Sequence, residues 1–335
     1  MKALVWVANN SMRIETAEIP VPKPGWVVLR VAMSGICGSE VSAYQGKNEL
    51  RRPPLIMGHE FSGYVKTAGE GVPDEIIGKL VAVNPLITCG RCTYCTSGRR
   101  HLCADRKIVG AAFPGSFAEF VAVPYESCHP VKTELAGALS EPLATAIRAV
   151  DRCNVKTGDR AAVFGMGIIG LLITKLLSRK GAGEICTVDI NDSRLGFSRD
   201  AGATRSFNIS EDAMLGELQK FAGEGVDISF DAVGIETTRS LAIKVLRRGG
   251  SSVYVGNHEQ FSSIDANMIV RGELSVNGSY AYSDMQFGRA VRLAEEGFIS
   301  EGSNWLDIMP LTEGDHAFRL LASNSARHSK ILLRP

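Results

Sequence analysis

Gly165-Met166-Gly167-Ile168-Ile169-Gly170 restricts the fold more than any other stretch of the chain. A short apolar run, 160–164, precedes it, and a helix-like apolar segment follows to Lys180. A second β-rich run, 184–188, then ends on Asp189. Without these flanks, G-x-G-x-x-G is only a glycine-rich turn. With a strand before it, a helix after it and an acid closing the next strand, it is the dinucleotide-binding pattern. The glycines permit a tight turn and let a pyrophosphate reach the helix N-terminus, where free N–H groups favour anions. Gly165, Gly167, Ile168, Ile169 and Gly170 are therefore candidate cofactor contacts. Asp189 is placed to accept hydrogen bonds from a ribose 2′-hydroxyl and would repel a 2′-phosphate, which predicts NAD over NADP. Arg194 is the complication: it flanks the adenosine or lies solvated on a helix.

The alternation continues downstream. Strands are predicted over 203–209, 226–232 and 251–255, with helices over 212–222 and 237–246. This order argues for a parallel, doubly wound α/β sheet. Ligands of such sheets bind at the carboxyl ends of the strands, which adds Val233, Gly234 and Gly256 to the cofactor candidates. A helix over 283–297 and a strand over 330–333 follow. No internal repeat or low-complexity tract is present.

Upstream the pattern differs. Short β-rich runs at 3–7, 27–31, 63–66, 79–83 and 117–123 are punctuated by Pro20, Pro22, Pro24 and Gly25. They predict a β-rich domain, a partly closed barrel. Eight cysteines need explaining. Four of them, Cys89, Cys92, Cys95 and Cys103, form C-x2-C-x2-C-x7-C. In a reducing compartment such a cluster points to a metal before disulfides. Four thiolates close a tetrahedral zinc site with no open position, a structural role. An iron–sulfur cluster is the rival.

Cys37 alone reads as a buried free cysteine. Gly58-His59-Glu60 changes that reading, because a histidine beside a carboxylate among apolar residues costs free energy unless something uses it. Cys37, His59 and Glu60 are all zinc-ligand types, and catalytic sites use three protein ligands with one position open.

Net charge is +1, with no long run of one sign, which gives no support to a nucleic-acid surface or a polybasic membrane patch. The most apolar run, 161–174, is interrupted by glycines and too short to span a bilayer. No signal peptide is read, so cytoplasm is the expected location.

Taken together, Cys37-Gly38-Ser39, Gly58-His59-Glu60, the four-cysteine lobe, Gly115 to Val121 (GSFAEFV), Glu141-Pro142-Leu143 and the glycine turn with Asp189 resemble the zinc-containing medium-chain alcohol and polyol dehydrogenases. The resemblance runs essentially end to end. It implies a discontinuous GroES-like catalytic domain, 1–142 plus 281–335, around a Rossmann domain, 143–280. It also implies a cleft between the domains, a small-molecule alcohol substrate, and a homodimer or homotetramer. Within the family the chain is similar to polyol, sugar-alcohol and threonine dehydrogenases, and 51–54 and 84–89 resemble galactitol-phosphate dehydrogenases. Carried over, Cys37 and His59 are catalytic zinc ligands. Glu60 is a ligand or exchange partner, and Glu141 binds the zinc or its water. A butanediol or threonine dehydrogenase of the same mechanism is the alternative. A zinc-free reductase and an NAD-binding redox sensor are rivals that Cys37, His59 and Glu60 together argue against.

Three departures bear on function. Ser42 stands where the family often has a proton-relaying histidine, which redirects the relay through Ser39 or a glutamate; Glu40 replaces the usual aspartate. The arginine that animal-type sorbitol dehydrogenases carry is missing near Ala281-Tyr282. Phe113, Phe117, Tyr280 and Tyr282 are candidates for the pocket, with ordinary packing as the alternative. Arg51 and Arg52 are expected on the surface, with a substrate phosphate as the other reading.

Overall fold

The computed structural model describes residues 1–48, 50–210, 212–300, 302–323 and 328–335, without the side chains of 212–214. The chain divides into two compact units, Met1–Ala144 with Ser283–Pro335, and Thr145–Tyr282.

Among the described residues, the second unit is built on one sheet in the order Arg205–Asn208, Glu184–Asp189, Arg160–Phe164, Val226–Asp231, Leu246–Tyr254, Ser275–Gly278. Every pairing in it is parallel. Helices Ile168–Arg179, Asp212–Ala222 and Glu236–Lys244 alternate with the strands as the sequence predicts, and Asp192–Asp200 and Ala266–Gly272 fill two further connections. Ala162, Phe164, Cys186 and Val188 from two central strands pack with Phe207, Leu218 and Val226. Central strands buried on both faces read as apolar runs, which is why this half is legible.

In the first unit the largest sheet runs Cys128–Pro130, Leu80–Val83, Glu60–Ala68, Trp26–Gly35, Lys330–Arg334, Leu306–Pro310, with Phe120–Pro124 also pairing to Trp26–Gly35. Its apolar interior, Val27, Leu29, Val31, Phe61, Val65, Val81, Val121 and Val123, forms one core cluster. A second cluster joins Ile36, Met57, Phe117, Phe318 and Ile331. Ile36, Met57 and Ile331 are chain neighbours of Cys37, Gly58 and Lys330, so packing fixes the backbone at all three. Each such side chain contributes about 1.5–3 kcal/mol on burial.

Helix Glu134–Asp151 has Pro142 inside it. Proline removes a helical donor and disfavours helix at the residue before it. Fully buried Leu139, Leu143, Ala144 and Ala146 override that preference. Glu141 therefore sits on a helix, and the division between the units falls within the same helix, after Ala144.

Candidate metal and cofactor sites

Cys37 lies two residues beyond strand Trp26–Gly35 and is the N-cap of helix Gly38–Tyr44. His59 and Glu60 open strand Glu60–Ala68, which pairs with the same strand, Glu60 opposite Gly35. Two adjacent strand ends thus bring Cys37, His59 and Glu60 together, with one donor atom from each within 4.8 Å of the others. Cys37 is half-buried, while His59 and Glu60 are buried. A thiolate, an imidazole and a carboxylate at that spacing fit a zinc ion. Among the described residues this group contains these three donors; half-buried Glu141 stands outside it on its helix.

Glu40 organises the cluster, a role the sequence reading did not give it. Its Oε2 accepts the Cys37 backbone N–H at 3.0 Å, and its Oε1 accepts the Gly58 N–H at 2.9 Å and His59 Nδ1 at 2.7 Å. One fully buried carboxylate therefore ties both ligand-bearing segments together. Because a carboxylate only accepts, Nδ1 carries the proton and Nε2 remains for a metal. Burial alone would raise the Glu40 pKa; His59, and then Arg51, outweigh it and hold it low. The His59 pKa is raised: burial opposes this, but Glu40 and Cys37 prevail.

Arg51 corrects an expectation. It is buried, not solvated, with Nε donating to Gly110 O at 3.1 Å and a guanidinium nitrogen 3.4 Å from His59 Nδ1. It lies on the Glu40 side of the imidazole, so it balances the carboxylate charge and does not face a metal at Nε2. Arg52 is exposed, as expected.

Gly58 shows why the stretch reads Gly-His-Glu. Its φ is +105°, and a Cβ there would stand 2.6 Å from Ser116 Oγ and 2.8 Å from Phe117 N. Ser116 N and Phe117 N donate to Gly58 O and Met57 O. The GSFAEFV segment is thus the backbone clamp of His59. Phe117 itself belongs to the core, edge-on to Phe318, and Tyr282 is buried. Phe113 packs on Trp26, and Tyr280 is exposed. For Phe117 ordinary packing is the reading that holds. Ser39 Oγ lies 3.4 Å from Cys37 Sγ and donates to it.

Lys330 is a further residue the sequence did not single out. Fully buried, it donates to Ile36 O at 2.9 Å and forms an ion pair with Glu60. Burial would lower its pKa; Glu60, with Cys37 and Glu40 behind it, keeps it raised.

In the four-cysteine lobe, neighbouring sulfurs stand 3.5 Å (Cys92–Cys95), 3.6 Å (Cys89–Cys103) and 3.8 Å (Cys89–Cys95) apart. Thiolates about 2.3 Å from one tetrahedral ion lie roughly 3.8 Å from each other. Disulfides would bring two sulfurs to about 2.05 Å. A cluster would spread the cysteines over several irons, whereas these sulfurs crowd one point, so the geometry fits a single ion.

In the second unit, Gly165 (φ +89°) turns the chain from its strand, and a Cβ on Gly170 would collide with Gly165 O. Gly167 is the N-cap of Ile168–Arg179 with no side chain capping it and open space around it, which leaves free N–H groups for an anion. Ile168 and Ile169 are half-buried in the first turn. Asp189 locks this turn: Oδ2 accepts Met166 N at 2.6 Å, and Oδ1 accepts Ile190 N and Asn191 N. Arg194 is half-buried, its backbone N–H capped by Asn191. Val233 and Gly234 are held by Asp231, whose Oδ1 accepts both their N–H groups at 3.0 Å. Gly234 and Gly256 touch backbone to backbone, leaving no room for a Cβ on either. Arg239 joins the two turns through Gly256 O and Asp231. Asp231, at the end of its strand, and Arg239, in the helix that follows, carried no sequence signal of their own.

No helix among the described residues is long and apolar enough to cross a membrane.

The alcohol dehydrogenase GroES-like domain family matches residues 23–133, and the zinc-binding dehydrogenase family matches 169–296. The chain is 35% identical over 317 residues to (R,R)-butanediol dehydrogenase of Bacillus subtilis, covering 90% of each. Its fold is similar to that of galactitol-1-phosphate dehydrogenase from Escherichia coli, with a TM-score of 0.91, 28% identity and full coverage of both chains. It is also similar to a protein from Sinorhizobium meliloti 1021 solved bound to NADP, with a TM-score of 0.90, 29% identity, and coverage of 100% of this chain and 99% of that one. The chain belongs to the zinc-type medium-chain alcohol and polyol dehydrogenases.

Proposed function

We propose that this protein is an NAD-dependent dehydrogenase that oxidises a secondary alcohol of a polyol, sugar alcohol or sugar derivative at a zinc ion held by Cys37 and His59. The observation carrying this reading is the Cys37–His59–Glu60 cluster with Glu40 already fixing its tautomer and its two backbone segments. Zinc when bound supplies a Lewis acid that lowers the pKa of a hydroxyl brought to it, and NAD supplies the hydride acceptor. The chain's own residues do the rest. Ser39 passes the hydroxyl proton onward, since a serine relays a proton but does not hold one as a base. Glu60 and Glu141 are the carboxylates that take part at the metal, as ligand or as acceptor from its water. Met1–Ala144 with Ser283–Pro335 acts as the catalytic domain, and the remainder binds the cofactor.

NAD is preferred to NADP because the Asp189 carboxylate would meet a 2′-phosphate with like charge. The four-cysteine lobe holds a second, structural zinc. All eight cysteines are free of disulfides, which supports a cytoplasmic protein. The working assembly is a homodimer or homotetramer. A simple vicinal diol is the second substrate reading, favoured by the similarity to a butanediol dehydrogenase.

The test is a screen of NAD and NADP reduction against polyols, sugar phosphates, inositols, threonine and butanediol, run beside Cys37→Ala and His59→Ala. Both variants are expected to lose turnover while still binding NAD. Turnover that survives removal of the metal would sink the reading.

A further inference from the structure

Lys330 and Glu60 meet over a residue with no side chain. Gly35 lies in the strand between theirs, opposite Glu60 on one side and Leu332 on the other. A Cβ on Gly35 would stand 2.6 Å from Glu60 Oε2 and 2.8 Å from Lys330 Cε. The gap it leaves is filled by the ion pair. Both side chains are almost wholly buried, and Ile36 O holds the ammonium from a second direction. The same carboxylate is one of the three donors gathered around Cys37 and His59. A metal at that cluster and the ammonium therefore compete for one negative charge.

We infer that Lys330 is a positioning residue that draws Glu60 away from the metal and so keeps a coordination position open for the alcohol. This rests on reading Cys37 and His59 as ligands of a catalytic zinc. Without Lys330, the Glu60 carboxylate is left buried and unpaired, which is strongly unfavourable. The cation then within reach is the metal, and ligation by Glu60 both satisfies the charge and fills the open position.

The experiment compares wild type with Lys330→Met and Lys330→Arg. Zinc affinity at the Cys37 site is measured by competition with a chromogenic chelator, and coordination is read from the visible spectrum of the cobalt-substituted protein. Lys330→Met is expected to bind zinc about tenfold more tightly, to change the cobalt spectrum, and to lose kcat while NAD still binds. Arginine at 330 should return affinity and spectrum towards wild type. A purely structural lysine would lower Tm and leave zinc affinity and spectrum unchanged, and that result overturns the inference. Where Lys330→Met fails to fold, Gly35→Ala takes its place, because its methyl group wedges the pair apart with both charges kept. The same tightening is expected, and unchanged affinity overturns the inference. Wild-type protein that takes no metal at Cys37 would refute the functional reading itself, whereas normal wild-type binding with an unresponsive Lys330→Met refutes this inference alone.

Discussion

His59 Nδ1 donates to Glu40 Oε1 at 2.7 Å, and the same oxygen accepts the Gly58 N–H. The carboxylate thus fixes the tautomer of the imidazole and the path of its backbone at once. Glu40→Gln puts an amide where three donors converge. Metal affinity at the Cys37 site is expected to fall by roughly 10–100-fold, the usual cost of losing such a partner. Equilibrium dialysis against zinc reads it directly. Unchanged affinity would show that His59 is oriented by packing alone.

Cys95 offers a separable metal test. Its sulfur lies within 3.8 Å of Cys89 and 3.5 Å of Cys92. Cys95→Ser should cost one zinc per chain and lower Tm by roughly 3–4 °C, the shift that ~2–3 kcal/mol produces in a chain of this size. The Cys37 site should keep its metal. Metal analysis of the purified variant decides, and a full zinc complement would rule out a tetrathiolate ion.

Asp189 has two functions to separate. It locks the glycine turn through Met166 N, and its place at the end of the second strand makes it the proposed acceptor of the ribose hydroxyls. Asp189→Ser is expected to weaken NAD use and to raise the NADP-to-NAD ratio of kcat/KM by about tenfold or more. Steady-state kinetics with both cofactors check it. Weaker NAD use with no change in ratio would leave Asp189 only its role in the turn.

A pH dependence follows from Asp227. Its oxygens accept Arg160 N and Arg247 Nε, both at 2.7 Å, which joins three neighbouring strands. Burial would raise its pKa, but these two donors outweigh burial and lower it. A carboxylate lowered in the folded state stabilises above its unfolded pKa of ~3.9 and loses that contribution as pH falls through the folded value. Asp227→Asn should therefore cost about 1–2 kcal/mol at pH 7. Urea unfolding repeated at successively lower pH should show the gap to wild type closing below about pH 4. A gap constant with pH would assign the cost to lost geometry instead of charge.

Much of this was legible in the chain because the signals are local. The glycine turn, its flanking strands and Asp189 lie in one continuous stretch, and so do the four lobe cysteines. Cys37 and Gly58-His59-Glu60 are separated in sequence but carry metal-ligand chemistry that marks them. What escaped notice depends on partners far along the chain. Lys330 looks like any strand lysine until Gly35 and Glu60 are set beside it. Arg51 carries a charge normally found on the surface, and only Gly110 and the Glu40–His59 pair explain its burial. Helix Glu134–Asp151 runs through a proline that local propensity would treat as a stop. In each case tertiary packing outweighed a local preference.

Strand Lys330–Arg334 lies between Trp26–Gly35 and Leu306–Pro310, and its first residue holds Glu60. The two partners are 270 positions apart in the chain. During synthesis, Cys37, His59 and Glu60 leave the ribosome long before Lys330, and all of Thr145–Tyr282 emerges in between. Contacts this distant in sequence form late, after slow loop closure. The thiol, imidazole and carboxylate are therefore made long before the lysine that pairs with one of them. The finished surroundings of Glu60 wait on a strand from the far end of the chain.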